Sequence, residues 1–546
     1  MSVGLLQAAA FPKIGLSWLA WLAPGLLLIL SSGQKTGAKA FWIGYCAGLA
    51  HYLLSLYWLL LIPLAMKAVA AWLAVSAVLA LYTGCWTWLC YRSFPLPRTR
   101  GHSYDLHEPS STSVSSAVNK LRSVNWRQRA AWALICACAW VTIEMGITRL
   151  FTGFPWNLLG ASQYQHLVVI QIASLTGVYG VSFLVVWVSV CLAIAVARAW
   201  HSKTPFHDCA IDLVWPIALL VVVIGFGLYR LSRPELAGRE IKLALIQPSI
   251  PQLIIWDDHE KSNRFSKLVT LSQQAAAARP DLLVWPEAAM PNTFTRFNRR
   301  TYDTITNLVV PNHLWMIFGA DDAEPKKDPG KTGDADFFNS AFLVYPTGQL
   351  LTRYHKRRLV MFGEYLPLAR WFPFLKYIRR VEGGFTAGET PVPFKLPNLG
   401  ANIAVLICFE DVFPQLARDT VSEDTDFMLN LTNNGWFRES AAQWQHAISA
   451  LFRAVENGLP LVRCTNNGLT CWIDARGRLH EIYFPDSRDI YGPGFKLVTI
   501  PLRAHEKNQL LTVYHRYGDW FGWTSVAGTA ICILNRLLRR ATAKRR

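Results

Sequence analysis

A carboxylate, an amine and a thiol stand at the ends of short apolar runs in the second half of this sequence. They are Glu287 in Trp285-Pro286-Glu287, Lys356 in Tyr354-His355-Lys356, and Cys408 in Ile407-Cys408-Phe409-Glu410. Together these side-chain types can run acyl transfer: a thiol attacks as its thiolate, a carboxylate takes the proton, and a cation holds the oxyanion that develops on the attacked carbonyl. Cys408 closes an apolar run, and 409–418 reads as a helix or turn beginning there. Such a strand-to-helix elbow exposes a nucleophile and aims backbone N–H groups beside it. A lone cysteine is more often inert packing. Glu410 and Asp411 directly after it, however, are poor core material. Pro286 ends the run before Glu287 and restricts the backbone, which would fix that carboxylate at the mouth of a sheet. Lys356 lies in the basic run from Arg353 to Arg358, which in isolation reads as solvated surface.

These residues need a scaffold, and from Ile241 onward the sequence offers one. Short β-rich runs recur at 241–247, 281–285, 314–319, 339–345, 402–408, 426–431, 460–464 and 469–474. Most are unbroken apolar stretches, the mark of strands buried on both faces. Residues 258–279 and 440–457 have helical spacing, and Ala475-Arg476-Gly477 reads as a hairpin turn. An α/β sandwich is expected, of about 280 residues and so large enough for a substantial core.

The first half is different in kind. Of the 546 residues 52% are hydrophobic and only 16% charged, where a soluble chain carries about 25%. Mean hydropathy is +0.22. Apolar stretches suited to crossing a bilayer occur at 16–31, 40–62, 66–91, 130–148, 166–197, 211–231 and 519–537, and 3–11 is a short eighth candidate. The expected domains are therefore membrane helices over 1–231, a catalytic domain over 232–518, and a last helix with a basic tail over 519–546. Basic residues crowd the loops around Lys35, 92–129 and Arg198, and the C-terminal tail. The positive-inside rule places all four in the cytoplasm and residues 232–518 outside it. The formal net charge of +18 fits anchoring at anionic lipid. No nucleic-acid motif accompanies it, so no nucleic-acid partner is expected. Residues 101–117 form a polar insert without readable chemistry. Eleven cysteines include no metal-type spacing, so neither metal nor cofactor is expected. Within the spans Glu144 is a lone acid, for which Arg149 is the expected partner.

The order Glu287, Lys356, Cys408, with Gly363-Glu364-Tyr365 and Asn433-Asn434-Gly435-Trp436-Phe437, resembles the nitrilase superfamily. With the membrane spans, Phe154-Pro155-Trp156-Asn157, Gln247-Pro248-Ser249 with Trp256, and Arg453-Ala454-Val455-Glu456-Asn457-Gly458, the chain is similar to the bacterial apolipoprotein N-acyltransferase family over nearly its whole length. The resemblance implies a multi-pass helical membrane bundle carrying an extracytoplasmic αββα nitrilase-like domain. It implies Glu287 as general base, Lys356 as oxyanion stabiliser and Cys408 as acyl carrier. Glu364 and Glu410 would be supporting carboxylates, and Trp256 and Trp436 substrate-binding residues. It further implies a ping-pong reaction at the cell inner membrane by a monomer. A phospholipid, phosphatidylethanolamine, donates its sn-1 chain, and the α-amine of a diacylglyceryl-cysteine at an apolipoprotein N-terminus receives it. Residues 359–380 mix aromatic and basic groups suited to an interface, and read as a lid hinged at Gly383-Gly384. The sequence departs from the family pattern at His355, Met361, Phe409, Asn434 and Arg438, the last at a position usually occupied by glycine.

Two other readings share some of these features. A membrane-tethered nitrilase-family amidase acting on a small amide would keep the same three groups. A non-catalytic lipid-binding or transport protein would explain the spans, but not a thiol, a base and an amine arranged in this order.

Overall fold

The computed structural model describes the chain except for residues 96–112, 203–204, 234–237, 256, 258, 291–298, 327–334, 367–383, 504–510 and 546. It divides into two compact units. One comprises Met1–Leu60, Val69–Arg233 and Tyr517–Arg546, and the other Leu61–Ala68 and Pro234–Arg516.

The first unit is helical. Among the described residues five helices are long and apolar enough to cross a bilayer: Met66–Ser93, Trp126–Thr152, Val178–Trp200, Asp208–Ser232 and Trp520–Leu538. The other stretches expected as spans take shorter or more polar forms. Ser2–Ala9 has only eight residues, about 12 Å of helix. The 16–31 stretch is a turn of 3₁₀ helix, Ser17–Trp21, followed by Ala23–Ser32, with Pro24 in the first turn of the second piece. Gly37–Ser55 runs for 19 residues, with Lys39, His51 and three glycines diluting its hydropathy. The 166–197 stretch breaks at Gly177, whose φ of +69° ends one helix before Val178 starts the next. Two buried ion pairs of this unit converge on Asp212, which accepts from Arg129 (2.9 Å) and from Arg198 (2.5 Å). The sequence pairs Arg149 with Glu144, but in the structure Arg149 meets Asp519 instead.

The second unit holds two six-stranded sheets. The strands are β1 (Glu240–Gln247), β2 (Leu282–Val284), β3 (Trp315–Pro325), β4 (Ala335–Val344), β5 (Leu350–His355), β6 (Phe394–Leu396), β7 (Ala401–Ile407), β8 (Phe427–Thr432), β9 (Leu461–Thr465), β10 (Cys471–Ile473), β11 (Leu479–His480) and β12 (Gly494–Pro501). Their orders are β12-β1-β2-β3-β4-β5 and β11-β10-β9-β8-β7-β6. The centre of each sheet is parallel, β1-β2-β3 in one and β7-β8-β9 in the other, and the flanks are antiparallel. Alternation along the strands divides the core. Leu243, Leu245, Val284 and Ile317 join Val405, Ile407, Leu429 and Val462 in one buried cluster, shared by the two sheets. Ala244, Ile246, Leu283 and Phe318 pack with Leu268, Ile305 and Leu308 from the helices Lys261–Ala276 and Arg299–Val309. With both faces covered, the central strands read as unbroken apolar runs. The αββα sandwich expected from the sequence is the one observed.

Candidate active site

Strand β7 ends at Ile407, one residue earlier than its apolar run, and Cys408 leaves the sheet with φ +53°. A non-glycine residue in that region stores strain of about 1–3 kcal/mol and stays there only when its surroundings insist. Here the Cys408 carbonyl is held by the Asn430 amide of β8, which donates at 3.0 Å, and lies 3.2 Å from His446 Nε2. A short 3₁₀ turn, Cys408–Val412, follows and completes the elbow.

Glu287 follows β2 by way of Trp285 and Pro286, and is buried. Its loop crosses β3 at Gly319, where a side chain would strike Pro286 O at 2.6 Å and Glu287 Cα at 2.7 Å. Oε1 accepts from the Asn339 amide (2.8 Å) and from Lys356 Nζ (3.2 Å), and Oε2 from the Asn433 N–H (2.9 Å). Lys356 stands just beyond β5 and is 1% exposed. Its ammonium also donates to Glu364 Oε1 at 2.8 Å, and the Asn339 amide bonds that same oxygen at 3.0 Å. Glu364 is itself fixed by the Val360 N–H on Oε2 (2.8 Å). One cation and one amide are thus shared between two carboxylates.

These charges govern the thiol. Burial first, then the Glu287 carboxylate, push the Cys408 thiol up to about 12, while Lys356 and the Thr432 hydroxyl pull it down and Glu364 adds to the rise. Burial would lower the Lys356 ammonium, but Glu364 and Glu287 outweigh it and hold the group well above the usual lysine value. At neutral pH the resting site therefore holds a protonated thiol beside a permanent cation. Attack requires that the proton be removed as the bond forms, which is general-base work.

Glu410 does something else. Its carboxylate accepts from Tyr354 OH (3.0 and 2.8 Å) and from the N–H groups of Arg357 (2.7 Å), Arg358 (3.0 Å) and Ile407 (2.8 Å). Burial pushes this carboxyl up, and those same donors, with the Lys356 charge, oppose it. Glu410 ties the elbow to the segment that carries Lys356.

Sequence reading missed the polar frame around these groups. Asp411, fully buried, pairs with Arg463 of β9 and lies 2.7 Å from His446 Nε2, while His446 Nδ1 lies 3.0 Å from Asn434 Oδ1. Asn433 Oδ1 takes the Gly435 N–H (3.0 Å) and the Asn466 amide (2.9 Å), so the loop that feeds an N–H to Glu287 is braced from within. Asp321 on β3 faces Asn339 across the ladder; burial, then Glu287 and Glu364, hold its carboxyl up at about 7.

The structure brings together Glu287, Lys356, Glu364 and Cys408, with Glu410 behind the elbow. Trp436 lies half-buried in the turn after Asn433. Trp256 lies outside the described residues, as do 367–383 of the expected lid, including Gly383. Among the departures from pattern, Phe409 packs edge-on against Phe413 at 5.1 Å. His355 Nδ1 lies 2.7 Å from the Ser340 hydroxyl. Arg438 occupies a glycine-type conformation, with φ +46° and ψ −148°.

Comparison with known proteins gives two family matches. Residues 3–191 match the apolipoprotein N-acyltransferase N-terminal domain, and residues 242–485 match the carbon-nitrogen hydrolase family. The chain is 35% identical over 537 residues to an apolipoprotein N-acyltransferase of Geobacter metallireducens, covering 97% of this chain and 92% of that one. It is 30% identical to the enzyme of the same name from Vibrio parahaemolyticus, covering 96% and 94% of the two chains. With that of Allorhizobium ampelinum it shares 30% identity over 91% and 89%.

Proposed function

This chain belongs to the apolipoprotein N-acyltransferase family, and from that premise we propose how its own residues carry the reaction. It is an acyltransferase of the carbon-nitrogen hydrolase superfamily that completes lipoprotein maturation by N-acylation. The reading assigns residues 1–231 and 519–546 to membrane anchoring and 232–518 to catalysis.

Glu287 takes the Cys408 proton as the sulfur attacks the sn-1 ester carbonyl of a phospholipid, phosphatidylethanolamine. Lys356 holds the oxyanion that forms. Collapse of the tetrahedral adduct breaks the ester C–O bond, and the proton on Glu287 passes to the leaving lysophospholipid oxygen. The acyl chain is left on Cys408 as a thioester. The α-amine of a diacylglyceryl-cysteine then attacks, Glu287 takes its proton, and the C–S bond breaks. The amide leaves and the thiol is restored by the proton on Glu287. Glu364 keeps Lys356 in place while Glu287 changes charge. Glu410 sets the elbow. Trp256 and Trp436 would contact the substrates. The enzyme acts as a monomer in the cytoplasmic membrane with the catalytic domain outside the cytoplasm, a sidedness supported by the basic loops.

The observation that carries this reading is the Lys356 ammonium bridging Glu287 and Glu364 within the electrostatic reach of the Cys408 thiol. Match of residues 3–191 to the family's N-terminal domain disfavours a tethered amidase. Mass spectrometry of the full-length enzyme after incubation with phosphatidylethanolamine should find an acyl adduct on Cys408, absent in Cys408→Ala. Chase with a diacylglyceryl-peptide should discharge it. A wild-type enzyme that turns over without ever carrying the adduct refutes the thioester.

A further inference from the structure

Asp321 has none of the roles assigned above, yet it stands at the edge of the reacting cluster. It lies on β3 two residues after Gly319, where the loop carrying Glu287 crosses the strand. Alternation from Trp315 and Ile317, both in the core shared by the two sheets, puts Asp321 on that inner face. Its partner across the antiparallel ladder is Asn339, which shares the face with Ala341 and Leu343. Directly opposed side chains of such a pair start about 4.5–5.5 Å apart at Cβ. The charged groups around this pair are Glu287 from the loop after β2, Glu364, and the Lys356 ammonium that both carboxylates hold. Asp322, next along β3, is on the opposite face beside Arg353.

One end of the Asn339 amide is engaged and the other is idle. Its Nδ2 donates to Glu287 Oε1 (2.8 Å) and to Glu364 Oε1 (3.0 Å), so the amide oxygen is turned away from both carboxylates. That Oδ1 is buried and has no hydrogen-bond partner among the described residues. A buried acceptor left alone is destabilising. An ionised Asp321 only sets a second acceptor against it, whereas a protonated one carries an O–H to donate. Charge points the same way. Glu287 and Glu364 already share one ammonium, and an ionised Asp321 would make three carboxylates to a single cation. Burial and those two carboxylates hold the Asp321 carboxyl up at about 7, so the acid form prevails below neutrality and is lost above it.

We propose that Asp321 is a positioning residue that works as a carboxylic acid, donating its proton to Asn339 Oδ1 and so fixing the amide that bridges Glu287 and Glu364. Loss of the proton reverses this. Two acceptors then face each other, the amide loses its hold on the base, and a second uncompensated negative charge stands where thiolate and oxyanion must form. Acyl transfer therefore declines as pH rises, against the increase that ionisation of the Cys408 thiol alone would give. The inference deepens the reading of Glu287 and Lys356 above and rests on it.

The test follows the rate of acyl-adduct formation on the full-length enzyme with phosphatidylethanolamine. Between about pH 6 and about pH 8.5 the wild-type rate should fall about tenfold or more. Asp321→Asn, whose neutral amide can donate to Asn339 at every pH, should abolish the fall. A wild-type rate that is flat or rising, or a fall of equal size in Asp321→Asn, overturns the proposal. Should that variant fail to fold, Asp321→Ala should abolish the fall as well, at a lower plateau because Asn339 Oδ1 stays without a donor. A second measurement needs no chemistry. In Cys408→Ala, infrared titration should find a protonated-carboxyl carbonyl stretch that disappears near neutrality and is missing once Asp321 is also replaced. Its absence overturns the proposal whatever the adduct experiment shows. Its presence in an enzyme that never carries the adduct supports the Asp321 acid and refutes only the thioester, so the two failures are separately visible.

Discussion

Tyr354 and Glu410 are joined by the tyrosine hydroxyl, 3.0 and 2.8 Å from the two carboxylate oxygens. Tyr354 stands two residues before Lys356, and Glu410 two residues after Cys408. The bond therefore links the cation and the nucleophile without touching either. Glu410→Gln replaces a charged acceptor by a neutral one and turns part of it into a donor facing N–H groups, a loss of about 3 kcal/mol or 10²-fold in rate. Tyr354→Phe removes one neutral donor and should cost about fivefold, near 1 kcal/mol. Rates of acyl-adduct formation measured on folded variants check both. Equal rates for wild type and Glu410→Gln would show that the elbow holds itself.

The raised thiol predicts an unusual response to pH. Burial and Glu287 hold Cys408 up at about 12, so little thiolate exists at pH 7 to 8. Alkylation by iodoacetamide should be slow there and climb about tenfold per pH unit until the thiol ionises. Glu287→Gln removes a negative charge that disfavours thiolate, so the alkylation profile should shift to lower pH while acyl transfer is lost. Activity and chemical reactivity then move in opposite directions. A profile that stays put in Glu287→Gln would show that the two groups do not feel one another.

Arg438 pays a local conformational penalty in the turn after Trp436. With φ +46° and ψ −148° it sits where side chains are rarely tolerated, at a cost of about 1–3 kcal/mol. Arg438→Gly should relieve most of this, against about 0.5–1 kcal/mol of extra chain entropy in the unfolded state. A rise in thermal midpoint with unchanged donor turnover is expected; a fall would mean that the arginine side chain makes contacts worth more than the strain.

Glu287 and Cys408 were legible because each follows a strand that is covered on both faces, so hydrophobicity stops abruptly at the chemistry, whereas Lys356, in a basic run beyond the edge strand β5, was legible only from its order between them. Asn339, Asn430, His446 and Arg463 were not, since they lie inside strands or a helix whose pattern marks only the core. Strand β5 went unread because Thr352 and Arg353 break its apolar character, and β12 because a lysine, Lys496, stands among its buried positions while an apolar Leu497 faces outward with Thr499. Both are the last strand on their side of the sheet, where burial is one-sided. Glycine and proline divide some of the expected membrane stretches into shorter helices, as at Pro24 and Gly177. Composition measures greasiness, but backbone breaks decide how long a helix runs.

The pairing of β1 with β12 has a consequence for how the protein is made. Glu240 lies opposite Pro501 and Gln247 opposite Gly494, so the opening strand of the domain waits for its closing one. Glu287, Lys356 and Cys408 have all left the ribosome before that partner is synthesised. A nascent chain truncated short of residue 494 would hold every reacting group and still expose a bare apolar edge, a template for self-association. Competence arrives late and all at once, with the final strand.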